Sequence, residues 1–593
     1  MIMNERIKKL RAQTLEAKPT ISAERAKLVT EFYKRSETSV LSTPMQHALA
    51  FKHIMENKRV VFNDGELIVG ERGPAPKATP TYPEVCIHSL QDLQYLNDRK
   101  KTAFASDEET RRVYAEEIIP FWQGRSQRDR IFAEMTREWI DAYEAGVFTE
   151  FMEQRAPGHT VLDGKIYKKG MNDFKKDIEA ALAGLDFMND PAAYDKQEEL
   201  KAMAASVDAI VAFARRHAEK ARELAKGEKD AGRKKELERI AEVCDRVPAN
   251  APRDFWEALQ AYWFVHLGVI TEYNTWDSFN PGRLDQHLWP FYQKGIADGT
   301  LTKESARELL QAFWVKFNNQ PAPPKVGVTA EESGTYTDFA LINVGGLKED
   351  GTDGVNELSY LILEVIEEMR ILQPSSVVEL SSKVPDSFLL RALKIVKTGF
   401  GQPSIFNTDA IVQELVRQGK SVVDARNGGA SGCVESGAFG KEAYILTGYF
   451  NLPKVFEITL HNGVDPRTGK KIGLETGDAT AFATFDELFE AFRKQIRHFV
   501  DIKVRGSNVI EKLYATYLPA PFLSVLVDDC VKNGKDYHAG GLFAANALLC
   551  GKARTKEPGI LRSTDGGQNW QKVSDATPIG TMQVFKGAGY WLS

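Results

Sequence analysis

A glycine-rich segment around a single cysteine places the tightest constraint on what this 593-residue chain can fold into. Residues 428–437 read GGASGCVESG, with four glycines in ten positions, Cys433 near the middle and Glu435 two residues later. Glycine lets a backbone bend tightly and approach another group without side-chain bulk. In an extended conformation, side chains two residues apart point to the same side. The segment is therefore predicted to form a tight loop that presents one sulfur beside one carboxylate.

Three other roles for the cysteine have to be weighed, namely a small buried hydrophobe, a thiolate nucleophile and a metal ligand. A structural cysteine needs no glycine-rich surroundings, and a glutamate so close is costly to bury without a partner. A thiolate would want a base or cation nearby, and Cys433 has no adjacent His, Lys or Arg. The segment also lacks a further Cys or His at metal-ligand spacing. A reactive sulfur beside a proton carrier is the favoured interpretation.

Composition favours a soluble protein without nucleic-acid or membrane partners. Hydrophobic residues make up 43% of the chain and the formal net charge is -5, so a large core is possible and the surface is nearly neutral. The N-terminus has no apolar signal run, and no later stretch reaches membrane-spanning length. The five cysteines are few, odd in number and scattered, which favours a reducing compartment. We expect a cytoplasmic protein.

Helical patterns separated by short polar segments indicate how the chain is organised. Residues 195–226 and 229–247 alternate Lys, Arg and Glu, which predicts a solvated helical pair broken at Gly227. Residues 302–318 repeat apolar side chains at helical spacing, and prolines end that helix. No linker, low-complexity tract or internal repeat precedes about residue 541. The pattern alone predicts one large α/β domain.

Three polar segments between helices are further candidates for a site. His159 follows a Pro-Gly turn in RAPGHT, and Asp277 stands among aromatic residues in WDSFNPGRLDQ, where its pKa could be perturbed. In the same stretch Arg283 and Asp285 fit a structural ion pair equally well. Residues 333–339, SGTYTDF, form a polar turn that leads into an apolar strand. Taken alone, each of these segments fits either a functional or a structural role. A lone histidine, for example, is more often structural.

The run Gly432-Cys433-Val434-Glu435 resembles the cysteine loop of the glycyl radical enzymes, the pyruvate formate-lyase-like superfamily. The resemblance implies that the cysteine works as a thiyl radical instead of a thiolate. The Cys-x-Glu form is similar to the eliminases of the family, in which the glutamate moves protons during loss of a leaving group. Formate-lyases carry two consecutive cysteines instead. The resemblance therefore points to a lyase.

The branch of this family that dehydrates trans-4-hydroxy-L-proline is very similar. All three polar segments occur in the same order, and the flanking runs NDGELIVG, FMEQR and FNNQPAPP agree as well. The resemblance implies an α/β fold built as a ten-stranded barrel of two antiparallel half-barrels, each of parallel strands, surrounded by helices and with the cysteine loop threaded through its centre. It covers residues 1–541 almost continuously, so the second half-barrel is expected to be incomplete.

The resemblance also implies roles for individual residues. Carried over by position, His159, Asp277 and Glu435 would surround the leaving hydroxyl and the ring nitrogen. Ser333 and Phe339 would help to hold the substrate carboxylate, while Asp338 and Tyr449 would line the pocket. The thiyl at Cys433 would abstract hydrogen from the carbon next to the ring nitrogen, and the radical would shed the hydroxyl once one of the three acids protonates it. The products would be 1-pyrroline-5-carboxylate and water, with no metal and no bound cofactor.

After residue 541 the resemblance stops. In relatives a C-terminal Arg-Val-x-Gly-aromatic motif stores the radical on its glycine, and this sequence has no such motif; residues 584–590, VFKGAGY, lack the Arg-Val pair. Residues 563–570, STDGGQNW, resemble an Asp-box, the hairpin turn of sialidase-like β-propeller blades. One blade cannot close a propeller. We therefore predict an unrelated segment over 542–593 with one such hairpin, and expect the chain as written to be inactive.

The expected partners follow from the same resemblance, and two alternatives stay open. They are the hydroxyproline substrate, a radical S-adenosylmethionine activating enzyme that installs the glycyl radical, and a second copy in a homodimer. The first alternative is another Cys-x-Glu lyase, acting on a diol, a choline-like amine or an aryl acetate. The second is a non-catalytic protein that retains only the pocket. A zwitterionic imino acid needs a carboxylate holder and an acidic partner for its nitrogen, which Ser333 and Asp277 could supply.

Overall fold

The structure is a computed structural model that describes most of the chain. The described residues are 3–149, 154–156, 160–273, 279–332, 338–432, 435–442, 449–539, 548–552, 559–563, 571–574, 582–585 and 588–591.

Helices make up most of the described chain up to residue 539. In the first half they are α1 (Glu5–Glu16), α2 (Glu24–Tyr33), α3 (Thr43–Asn57), α4 (Leu90–Asp98), α5 (Glu108–Val113), α6 (Ile119–Trp122), α7 (Gln127–Glu134), α8 (Arg137–Glu144), α9 (Lys165–Lys168), α10 (Met171–Ala183), α11 (Ala193–Gly227), α12 (Ala231–Arg246) and α13 (Phe255–Glu272). They continue with α14 (Leu284–Asp298), α15 (Lys303–Asn318), α16 (Gly327–Glu332), α17 (Glu357–Met369), α18 (Asp386–Val396), α19 (Thr408–Arg417), α20 (Val422–Arg426), α21 (Leu452–Leu460), α22 (Phe485–Tyr517), α23 (Pro521–Leu526) and α24 (Cys530–Asn533).

The strands are short. Those before residue 451 are β1 (Thr20–Ser22), β2 (Ala78–Pro80), β3 (Phe148–Thr149), β4 (Thr160–Val161), β5 (Phe279–Asn280), β6 (Gly282–Arg283), β7 (Leu341–Gly345), β8 (Ser375–Leu380), β9 (Ser404–Asn407), β10 (Gly429–Ser431), β11 (Glu435–Gly437) and β12 (Tyr449–Phe450). Those after residue 547 are β13 (Leu548–Lys552), β14 (Gly559–Ser563), β15 (Gln571–Ser574), β16 (Met582–Phe585) and β17 (Ala588–Trp591).

A parallel sheet in the order β6-β7-β8-β9 organises the middle of the chain. Helix α17 connects β7 to β8 and helix α18 connects β8 to β9, which is the arrangement that parallel neighbours require. Every residue of β7 is buried, whereas β9 is mostly exposed at the sheet edge. Two further pairs, β1 with β2 and β4 with β5, are also parallel. The predicted α/β class is confirmed at this level, and the ten-stranded barrel stays a prediction.

The helices predicted from the sequence are found close to their expected limits. Helix α15 begins after Thr302, whose side-chain oxygen accepts a hydrogen bond from the backbone N–H of Ser305, and it ends before the prolines. Helix α11 ends at Gly227 and α12 follows, as the break at that glycine predicts. Helix α13 is buried on all sides except at Trp256, so it runs through the centre of the core.

The strands after residue 547 pair only in antiparallel fashion. β13, β14 and β15 form a three-stranded sheet, and β16 pairs with β17. The Asp-box-like turn falls between β14 and β15, and residues 564–570 of it lie outside the described residues. The domain boundary at residue 541 remains a prediction.

Among the described residues, no helix is both long and apolar enough to cross a membrane.

Candidate active site

Four of the predicted site residues lie in the described part of the chain and four do not. Glu435, Asp338, Phe339 and Tyr449 are described. His159, Asp277, Ser333 and Cys433 lie outside the described residues, so their predicted roles stay predictions.

The glycine-rich segment forms a β-hairpin. Strands β10 and β11 pair in antiparallel register, with Ala430 opposite Ser436 and Ser431 opposite Glu435. Residues 432–434 join the two strands, and Gly432 has a φ of +51°, in the left-handed region that favours glycine. The described strands on either side of the predicted loop therefore form a hairpin, while Cys433 itself lies outside the described residues. Glu435 is half-buried at the start of the returning strand.

Side chains from the parallel sheet hold the first strand of this hairpin. The amide of Asn343, on β7, bonds to both backbone groups of Ala430: its Nδ2 donates to the carbonyl at 2.8 Å, and its Oδ1 accepts from the N–H at 3.0 Å. A Cβ on Gly429 would overlap the carboxylate oxygen Oε1 of Glu379, on β8. Arg283, on β6, donates to the carbonyl of Arg426, just before the hairpin. The hairpin thus lies directly against the inner face of the sheet.

Gly429→Ala is expected to lower the free energy of unfolding by about 1–3 kcal/mol, the usual cost of forcing an extra group into a packed interior. Urea denaturation followed by circular dichroism measures the change. Gly227→Ala is the matched control, because no atom lies within 4 Å of its added Cβ. That control is expected to be neutral or to stabilise by up to about 1 kcal/mol. An equal effect of the two substitutions would show that the hairpin is not packed against Glu379.

Two buried carboxyl groups near the hairpin have raised pKa values. Burial raises the pKa of Glu379 to about 7 and that of Asp285 to about 6, while Arg283 opposes both shifts. Asp285 accepts from Ser359 Oγ at 2.5 Å and from the Gly345 N–H at 2.9 Å, and Arg283 donates to the Gly345 carbonyl at 3.3 Å. Both side chains therefore fasten the backbone around Gly345, which is a structural role.

Asp338 is buried and paired with a cation that the sequence did not indicate. Arg72 Nη1 lies 3.0 Å from Asp338 Oδ2, and the two side chains are 1% and 7% exposed. Neither carboxylate oxygen makes a hydrogen bond of good geometry among the described residues, so both keep acceptor capacity. The next residue, Phe339, is half-buried with a φ of +49°, a conformation that is strained for a side chain of this size.

A buried network of charges lies behind Arg72. Lys316 Nζ donates to Glu66 at 2.9 Å and to Glu71 at 2.6 Å, and all three side chains are at most 3% exposed. Glu71 also accepts from Asn319 at 3.0 Å. The two carboxylates outweigh the effect of burial and raise the pKa of Lys316, while burial raises the pKa of Glu66. The NDGELIVG and FNNQPAPP runs, about 250 residues apart, are thus joined in one network.

The proline-rich end of the second run is fixed through its carbonyls. Arg72 donates to the carbonyl of Pro321, Arg155 Nη2 donates to that of Pro323 at 3.1 Å, and a ring nitrogen of His88 lies 3.0 Å from that of Pro324. Proline has no N–H, so its carbonyl is the group that fixes such a segment.

Two parallel strand pairs follow closely after predicted site residues in the sequence. β4 begins one residue after His159, β5 begins two residues after Asp277, and the two strands pair in parallel. β7 begins three residues after Asp338 and pairs in parallel with β6, which follows β5 after one residue. Paired parallel strands start at the same edge of a sheet. Within each pair, β4 with β5 and β6 with β7, the two strands therefore begin at the same edge of their sheet.

Tyr449 lies on a different strand pair. It is opposite Thr149 in the antiparallel pair of β12 and β3, and its side chain is 59% exposed. The structure therefore places the Glu435 hairpin against β7, the strand that follows Asp338 and Phe339, and places Tyr449 on a separate strand pair.

The described part of the site carries proton-transfer and hydrogen-bonding groups. It offers carboxylates, the guanidinium groups of Arg72 and Arg283, and a glycine-rich hairpin. Within the described ranges, no cluster of His, Cys, Asp and Glu has the arrangement of a metal site. Such a site can bind and protonate a small polar molecule.

Comparisons with known proteins agree with this geometry. The family described as pyruvate formate lyase-like matches residues 3–552. Trans-4-hydroxy-L-proline dehydratase of Clostridioides difficile is 57% identical over 537 residues, which cover 91% of this chain and 68% of that enzyme.

Two solved structures are also similar. Hydroxyproline dehydratase from Clostridioides difficile, with trans-4-hydroxy-L-proline bound, has a TM-score of 0.88 at 56% identity. The B12-independent glycerol dehydratase from Clostridium butyricum, with glycerol bound, has a TM-score of 0.86 at 33% identity. Each alignment covers 91% of this chain and 68% of the solved chain. This chain belongs to the pyruvate formate lyase-like family of glycyl radical enzymes.

Proposed function

We propose that this chain is a carbon–oxygen lyase that dehydrates trans-4-hydroxy-L-proline through a thiyl radical at Cys433. The observation that carries the proposal is the 57% identity over 537 residues with a dehydratase of that substrate. The glycerol dehydratase is similar in fold but only 33% identical, which does not favour a diol as the substrate.

The proposed reaction balances without an external oxidant. The Cys433 thiyl takes a hydrogen atom from the substrate carbon next to the ring nitrogen. One of Glu435, His159 and Asp277 protonates the neighbouring hydroxyl, so its C–O bond breaks and water leaves, and the ring nitrogen then gives up a proton that restores the acid. The remaining radical takes a hydrogen atom back from the Cys433 thiol, which restores the thiyl and releases 1-pyrroline-5-carboxylate. Substrate and product therefore differ by one water.

The proposed residue roles follow the family assignments. Glu435, His159 and Asp277 carry protons around the hydroxyl and ring nitrogen, Ser333 and Phe339 hold the carboxylate, and Asp338 and Tyr449 line the pocket. The half-buried position of Glu435 beside the hairpin connection supports its role. The free acceptor capacity of Asp338 supports a contact with a substrate N–H or O–H group.

The finer features of the protein are proposals of the same kind. They are the ten-stranded barrel, a homodimer, activation by a radical S-adenosylmethionine enzyme and a cytoplasmic location. Among the described residues, Cys86, Cys244 and Cys530 are buried and form no disulfide, which is compatible with a reducing compartment.

Titration calorimetry of the folded chain tests the substrate assignment. We expect trans-4-hydroxy-L-proline to bind at least about tenfold more tightly than glycerol or choline, because the proposed carboxylate holder Ser333 and acidic partner Asp277 suit a zwitterion. Asp338→Asn is expected to weaken binding of hydroxyproline by about tenfold. Asp350→Asn is the control, since Asp350 is exposed and bonds only within its own turn, to Thr352. Tighter binding of glycerol or choline would overturn the substrate assignment.

A further inference from the structure

The side chain of Asn343 bonds to both backbone groups of one hairpin residue, Ala430. It lies at the centre of β7 and is 1% exposed. Its amide saturates the N–H and the carbonyl of Ala430, three residues before Cys433. A side-chain amide can do this only when it faces the backbone in one orientation, because its donor and acceptor ends differ.

Close packing prevents strand β10 of the hairpin from shifting against the parallel sheet. A Cβ on Gly428 would meet the carbonyl of Gly437, and one on Gly429 would meet both Asn343 and Glu379. A shift of β10 by one residue would place the methyl group of Ala430 where Gly429 now lies, and would turn every side chain to the opposite face. The amide of Asn343 therefore fixes the one register that the surrounding atoms allow.

We propose that Asn343 is a positioning residue that sets the depth and register of the Cys433 hairpin against the parallel sheet. Its importance for catalysis rests on the proposed function, in which Cys433 carries the radical. The structural effect of Asn343 does not rest on that function, so either proposal can fail while the other holds. Glu379 and Gly429 support the same placement through contact alone.

Hydrogen–deuterium exchange of the full chain, followed by mass spectrometry of peptides from residues 428–437, tests this proposal. Asn343→Leu removes both hydrogen bonds and leaves two buried backbone groups unpaired. We expect these peptides to exchange about tenfold faster or more in this variant. Asn318→Leu is the matched control, because the half-buried Asn318 bonds to Thr14 and Gln373 and not to the hairpin. That control is expected to leave the hairpin peptides unchanged.

Asn343→Asp supplies a second test within one protein. A protonated carboxyl offers one donor and one acceptor, as the amide does, whereas an ionised carboxylate can only accept. The charged groups around this position are Arg283 on β6, Glu379 on β8 and Asp285 at the start of α14. Protonation at low pH is expected to restore both hydrogen bonds, and ionisation at high pH is expected to break the bond to the Ala430 carbonyl.

The expected result is a pH-dependent rescue. After correction for intrinsic exchange rates, the hairpin of Asn343→Asp should exchange as slowly as the native chain at pH 5 and about tenfold faster at pH 8. Exchange in the buried helix α13 reports whether the fold survives. If Asn343→Leu does not fold, the exchange of Asn343→Asp at the two pH values is sufficient to test the proposal. Native-like exchange of the hairpin peptides at both pH values would overturn the proposal, whether or not the chain binds hydroxyproline.

Discussion

Lys316→Met is expected to lower the free energy of unfolding by about 3–5 kcal/mol, because it leaves two carboxylates buried without their cation. Glu66 and Glu71 are almost fully buried and both accept from Lys316 Nζ. Denaturant titration at pH 7 measures the loss. Lys303→Met is the control on the same helix, since Lys303 lies 3.8 Å from Glu364 with 42% of its side chain exposed. A pair so exposed is worth less than about 1 kcal/mol.

The effect of Lys316→Met should also depend on pH. Burial already raises the pKa of Glu66 in the folded chain, and loss of Lys316 removes the cation that opposes this shift. Protonation then favours the folded state, so stability is gained below the unfolded pKa and lost as pH rises through the folded pKa. The difference in unfolding free energy between the native chain and Lys316→Met should therefore narrow as pH falls from 7 towards 5. A difference that is small and constant with pH would show that the network is not buried as described.

Cys433→Ser is expected to abolish turnover while leaving the fold intact, because a serine O–H bond is too strong for the hydrogen-transfer step. Turnover is measured in a chain joined after residue 541 to the C-terminal segment of the Clostridioides difficile relative and activated anaerobically. Glu435→Gln should lose activity by roughly a hundredfold or more, the usual contribution of a general acid or base. Retained turnover in the serine variant would contradict a thiyl mechanism.

Two controls separate chemistry from stability in that experiment. Cys244→Ser changes a buried thiol on α12 and should reduce stability without removing turnover per folded molecule. Glu475→Gln changes an exposed glutamate that pairs with Lys471 and should have no effect on turnover.

Local patterns predicted the elements whose signals lie within a few residues. The apolar spacing of residues 302–318, the break at Gly227 and the glycine-rich hairpin all depend on short-range rules, and each is found in the structure. The α/β class followed from the alternation of helices and short segments. Family resemblance supplied the role of Asp338, whereas the local pattern alone had already indicated Glu435 as a proton carrier.

The sequence did not indicate Asn343, Glu379 or Lys316, because the partners of these residues lie far away along the chain. Asn343 and Glu379 are polar positions inside apolar strands, and only the parallel pairing of β7 and β8 shows that both meet the hairpin. Lys316 stands in an apolar helix and bonds to carboxylates 250 and 245 residues away. A lysine is normally solvated, so its helix pattern gives no sign of such a partner. Two sequence runs, near residues 66 and 317, did offer a usable signal. Opposite charges that are buried at both places would have to pair with each other.

A competition assay tests the proposed function most directly. The chain joined to the C-terminal segment of its relative is activated anaerobically and given trans-4-hydroxy-L-proline, glycerol and choline at equal concentrations, and mass spectrometry follows the loss of each. We predict that hydroxyproline alone is consumed and that 1-pyrroline-5-carboxylate appears in equal amount. Consumption of glycerol or choline in preference to hydroxyproline would contradict the account.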